Sequence, residues 1–106
     1  MHKTAQRLES IHAPAIAATP LLSDERAIRI IIALTEERMR FSALESMLGM
    51  SPKTLSHRLK QLTSQGLVTR TLYAQIPVKV EYELTEKGRE FVELLLAIDA
   101  WQSKWR

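Results

Sequence analysis

The chain has 106 residues, 45 % of them hydrophobic, a formal net charge of +3 and no cysteine. That length suits one small domain that gains from extra burial against a partner, and the lack of cysteine excludes disulfides, thiolate metal sites and thiol redox switches. No apolar run approaches the roughly 20 residues of a membrane span, and the opening "MHKTAQRLESIHAPAIAATP" lacks the apolar core of a signal peptide, so a soluble, cytoplasmic chain without membrane partners is expected.

Residues 1–21 read as an arm or linker. Ala5, Leu8 and Ile11 give a short helix over Lys3 to His12 only a thin apolar stripe, and an Ala-rich connector with Pro14 and Pro20 follows. Residues 22–106 read as one domain. "SDERAIRIIIAL" carries a Ser or Asp N-cap and acids in its first turn. Apolar Ala27, Ile28, Ile30, Ile31, Ile32 and Leu34 lie nearly all round it, the pattern of a central buried helix. "RMRF" suits a short strand. "SALESMLG" predicts a second helix with Ser42 as N-cap, Glu45 three residues on and Gly49 as terminator. Ser51 caps a third helix with Pro52 in its first position, and Leu55, Leu59 and Leu62 share one face until Gly66.

After Gly66 the period changes to two. "LVTRTLY" and "VKVEYEL" alternate, the second with Val78, Val80, Tyr82 and Leu84 on one side and Lys79, Glu81 and Glu83 on the other. With "AQIP" between them they predict an antiparallel hairpin. Thr85 caps a final helix in which Phe91, Ile98 and Trp105 recur at intervals of seven, as do Leu94 and Trp101. The expected fold is mainly α with a small β wing: a winged helix-turn-helix, whose second helix enters a DNA major groove.

The charge pattern agrees. Residues 51–80 hold five of the fifteen Lys and Arg and none of the twelve acids, the footprint of a phosphate-binding surface or of a solvated face. With the leucines set inward, Lys53, His57, Lys60 and Ser64 turn outward and Thr54, Gln61 and Arg58 occupy a flank. These are donors to base edges and phosphates, and the N–H groups opened by Ser51 can meet a phosphate as well. Lys79, nearer the hairpin tip, is assigned to DNA phosphate. Arg70 has two readings: a phosphate contact, or a cross-strand pair with Glu81 or Glu83. The stripe Phe91, Leu94, Leu95, Ile98, Trp101 and Trp105 exceeds what a thin domain can cover, which favours a homodimer through terminal helices over an internal core. Catalysis has no candidate: His2, His12 and His57 share no metal-ligand spacing, and neither a metal nor a cofactor is called for.

"RFSAL", "SPKTLSHRLKQL", "GLVTRTLY", "VEYELTEKG" and the terminal "AIDAW" together resemble the HxlR-type transcriptional regulators, relatives of the MarR-like winged helices. The resemblance spans Leu22 to Trp105. It implies a homodimeric prokaryotic regulator joined through its terminal helices, with "SPKTLSHRLK" as recognition helix and "YAQIPVKVEY" as wing, binding a palindromic operator in double-stranded DNA. An architectural, low-specificity DNA-binding protein is the alternative. Many members carry a sensing cysteine before the first core helix. "TPLLSDERAI" has none there, so any small-molecule effector binds non-covalently.

Overall fold

A computed structural model describes residues 20–106; the helix expected over Lys3 to His12 lies outside the described residues. The elements run α1 (Glu25–Ala33), β1 (Met39–Arg40), α2 (Phe41–Leu48), α3 (Pro52–Ser64), β2 (Val68–Tyr73), β3 (Lys79–Leu84) and α4 (Glu86–Lys104). This is the predicted order, mainly helical with one small antiparallel sheet.

Local chemistry sets the helix boundaries. Asp24, and not Ser23, caps α1: its Oδ1 accepts from the Ala27 N–H at 3.1 Å. Ser51 caps α3 by accepting from Thr54 N–H, with Pro52 at the start of the helix, and Thr85 caps α4 by accepting from Gly88 N–H. At α2 the expectation fails. The helix begins at Phe41, so Ser42 lies inside its first turn, and Arg40 stands at the N-cap without a side-chain bond. Strand pairing fixes the entry to the helix instead: Met39 pairs with Tyr82 and Arg40 with Glu81, which holds Arg40 extended up to the first helical residue. Gly49 then closes α2 in the left-handed region at φ 65°, which a side chain adopts only with strain. The α2–α3 turn is therefore short.

The sheet order is β1-β3-β2. Val68 pairs with Leu84, Arg70 with Tyr82 and Tyr73 with Lys79. Because side chains alternate across a strand, Val68, Arg70, Leu72, Val80, Tyr82 and Leu84 share one face, while Thr69, Thr71, Tyr73, Lys79, Glu81 and Glu83 share the other. Val78, expected in the second strand, belongs instead to the exposed tip, which contains a cis Ile76–Pro77 bond.

The core gathers Ala27, Ile30, Ile31 and Leu34 of α1, Leu44, the three leucines of α3, Leu67, Val68, Leu84 and Phe91. The α1 stripe is narrower than predicted, since Ile32 is 55 % exposed. Gly88 marks the tightest approach: a Cβ there would stand 2.3 Å from the Leu67 carbonyl oxygen. Only glycine lets α4 start against the strand that leaves α3.

Candidate nucleic-acid interface

The buried leucines of α3 orient everything else on it. Leu55, Leu59 and Leu62 are at most 1 % exposed, so the ridge on the far side of the helix faces solvent. Lys53, His57, Lys60, Gln61 and Ser64 are all exposed there, and Thr54 is half-buried beside them. No acid interrupts the ridge. The Ser51 hydroxyl is occupied locally, accepting from Thr54 N–H at 3.2 Å and donating to Thr54 Oγ1 at 2.9 Å. Pro52 has no N–H, Thr54 N–H goes to the Ser51 hydroxyl and Leu55 N–H to the Ser51 carbonyl, so Lys53 N–H is the one backbone donor of the first turn left open.

Arg58 behaves differently from its neighbours. Its Nε lies 3.1 Å from Asp24 Oδ2 and 3.3 Å from Oδ1, with both side chains about three-quarters buried. Arg58 therefore leans along the flank toward the start of α1, and ties α3 to the cap of another helix. Sequence spacing placed Arg58 on that flank without revealing its partner, which is 34 residues away.

The wing separates its two cations. Arg70 lies on the sheet face turned toward α3, where Ser56, Lys60, Thr63 and Ser64 line a hollow of ≈ 530 Å³ with it and Tyr82. Opposite Arg70 stands Tyr82, and the acids at 81 and 83 belong to the other face. The cross-strand ion pair considered for Arg70 is thus excluded by register. Lys79 sits on that other face, its Nζ 3.7 Å from Glu81 Oε1 and 5.1 Å from the centre of the Tyr73 ring. Arg38 joins the same face, donating to the Tyr73 hydroxyl at 3.2 Å and pairing with Glu83 at 3.4 Å. The hydrogen bond to Tyr73, followed by the charge of Glu83, raises the already high pKa of Arg38. Lys79 is accordingly held by neighbours, whereas Arg70 shares a hollow with Lys60.

The apolar stripe of α4 divides in a similar way. Phe91 belongs to the domain's own core at 9 % exposure, so its grouping with the outer stripe by spacing is corrected, while Leu95 is half-buried between that core and the open hollow beside α1. Leu94, Ile98, Trp101 and Trp105 are 41 % to 69 % exposed. Leu96 and Ile32, which spacing left out of the stripe, are also exposed and border one hollow between α1 and α4.

Residues 21–106 match the family model for the HxlR-like helix-turn-helix. The chain belongs to the HxlR family. Its HxlR-like domain is 36 % identical to the HTH-type transcriptional regulator YvaP of Bacillus subtilis (strain 168) over 89 residues, covering 83 % of this chain and 82 % of that one. It is 42 % identical over 77 residues to an HTH-type transcriptional regulator of Halalkalibacterium halodurans, covering 71 % and 68 % of the two chains. The reduced form of the transcriptional regulator YodB from B. subtilis superposes with a TM-score of 0.78 at 32 % identity, over 84 % of this chain and 88 % of that one. The HxlR-like chain is a DNA-binding transcriptional regulator with a winged-helix fold, and it is not an enzyme. Among its described residues no helix is long and apolar enough to cross a membrane.

Proposed function

We propose that this HxlR-like regulator binds a palindromic operator as a homodimer, each protomer laying α3 in a major groove. The observation that carries this reading is the pairing of two surfaces: an outward α3 ridge without a single acid, and a C-terminal helix with Ile98, Trp101 and Trp105 open to solvent. Lys53 and His57 face base edges from the ridge, and Thr54 and Gln61 border them. Lys60, Arg70 and the open Lys53 N–H beside Ser51 hold phosphates, and Lys79 adds positive charge on the far face of the wing. Two exposed tryptophans on one helix supply the large apolar anchors typical of an interface, and a two-fold axis would present two recognition helices to successive grooves. Such a protein works in the cytoplasm, where its DNA is. Any effector would be a small molecule held without covalent bonding.

The test is selection of duplexes from a random pool, followed by titration of the enriched sequence against a scrambled one. A palindromic enriched sequence bound at least about 10³-fold more tightly supports a sequence-specific regulator. Equal affinities for the two duplexes would instead establish an architectural DNA-binding protein.

A further inference from the structure

The recognition helix has two flanks, and only one of them faces the wing. On that side Lys60 and Arg70 share a hollow. On the opposite side, where Arg58 reaches Asp24, a second hollow of ≈ 630 Å³ opens at the start of α1, and Arg26 and Arg29 line it together with Arg58. A major groove about 12 Å wide is bounded by two phosphate backbones. A helix lying in it therefore has one strand beside each flank.

We propose that Arg26 and Arg29 form a second phosphate-binding rim, which holds the DNA strand across the groove from the one held at the wing. The inference rests on the reading of α3 as the groove-binding helix and extends the interface to α1. Three residues apart, the two arginines lie on neighbouring positions of one helix face. Both are exposed, and neither has an ion-pair partner among the described residues. Two acids share the hollow. Asp24 is already engaged, accepting from Arg58 Nε and from the Ala27 N–H. Glu25 stays exposed, so three guanidinium groups face two carboxylates, one of which is paired. Guanidinium groups match phosphate oxygens in pairs, and their charge persists at any working pH. The ion pair has a part in this arrangement: it holds the recognition helix and the start of α1 in one fixed relation, so that ridge and rim meet the duplex together.

The experiment measures binding of the full chain to a fluorescein-labelled, mixed-sequence duplex of about 30 base pairs, in a potassium chloride series of about 50 to 200 mM. Arg26→Gln with Arg29→Gln should lower affinity and make the slope of log K against log salt shallower, by about 0.9 for each phosphate no longer neutralised. Arg26→Lys with Arg29→Lys should restore most of the slope. Lys87→Gln with Arg89→Gln removes the same formal charge from exposed positions near the start of α4, assigned neither to DNA nor to the dimer, and should leave the slope unchanged. If the glutamine pair keeps the wild-type slope while Lys60→Ala with Arg70→Ala flattens it, the rim is refuted and the groove-binding reading of α3 stands. If neither pair changes the slope, or the wild-type chain does not bind the duplex, both readings fall.

Discussion

Asp24 performs two tasks with one carboxylate, and two substitutions separate them. It caps α1 through Ala27 N–H and pairs with Arg58 across to α3. Asparagine caps a helix about as well as aspartate, so Asp24→Asn should remove only the charge of the pair. With both side chains about a quarter exposed, that loss lies near the upper end of partly exposed ion pairs, up to about 1 kcal/mol. Asp24→Ala removes the cap as well, which costs about 1 kcal/mol more. For a domain of this size each kcal/mol lowers Tm by about 4 to 8 °C. Urea unfolding followed by circular dichroism should therefore order the variants as wild type, Asp24→Asn, Asp24→Ala, at steps of about 1 kcal/mol. Adding Arg58→Ala to Asp24→Asn should cost much less than Arg58→Ala alone in the wild-type chain, because the pair has already gone. Equal stabilities for the asparagine and alanine variants would show that the cap contributes nothing. An Arg58→Ala cost that is independent of residue 24 would show that the ion pair contributes nothing.

The remaining predictions follow from placement. Trp101→Ala with Ile98→Ala, both on the open side of α4, should shift sedimentation at micromolar concentration from dimer to monomer while leaving the monomer's melting transition almost intact; an unaltered dimer would remove α4 from the interface. Gly88→Ala drives a methyl group into the Leu67 carbonyl and should destabilise the fold by about 1 to 3 kcal/mol in a thermal melt, so a wild-type Tm would contradict the close packing of α4 on that strand. Arg70→Ala should weaken binding to all duplexes and flatten the salt slope by about one unit for each phosphate it neutralises. Lys79→Ala should do so less, since Glu81 and Tyr73 already engage its ammonium group; the reverse ranking in a salt titration would place the wing the other way round on DNA.

Local chemistry was legible in the sequence because it acts over three or four residues. Ser51 with Pro52, Thr85 with Gly88, and Gly49 at φ 65° each complete a cap or stop within one turn. The leucines of α3 repeat with the helical period and are buried for that reason. Ser42 misled because the signal for a cap is also local, whereas the competing force was a strand pair between β1 and β3, which start 40 residues apart. Arg58 was legible as a flank residue and illegible as an ion-paired one, since Asp24 reaches it only after α1 and α3 have packed. The cap at Ser51 and the pair at Asp24 thus belong to different stages of the same fold.

The wing shows most sharply where pattern reading stops. Alternation correctly assigned Lys79, Glu81 and Glu83 to one side of β3, and it made the partner strand alternate as well. What alternation cannot contain is the register between the strands, which decides whether Arg70 faces the acids or turns its back on them. Slide β2 by one residue and Arg70 would sit opposite Glu81 or Glu83, neutralised, while Thr71 faced α3. The observed register pairs Arg70 with Tyr82 and thereby turns its charge toward Lys60. Val68 and Leu84 specify that choice, because at 2 % and 3 % exposure their burial in the core fails if either strand slips by one. The apolar end of the hairpin therefore determines which charges its middle turns toward α3. A substitution such as Val68→Thr, remote from any phosphate, should weaken duplex binding through Arg70 in addition to lowering stability. In a salt titration its slope should move toward that of Arg70→Ala, and a wild-type slope in a destabilised but folded Val68→Thr chain would show that register and charge presentation are independent.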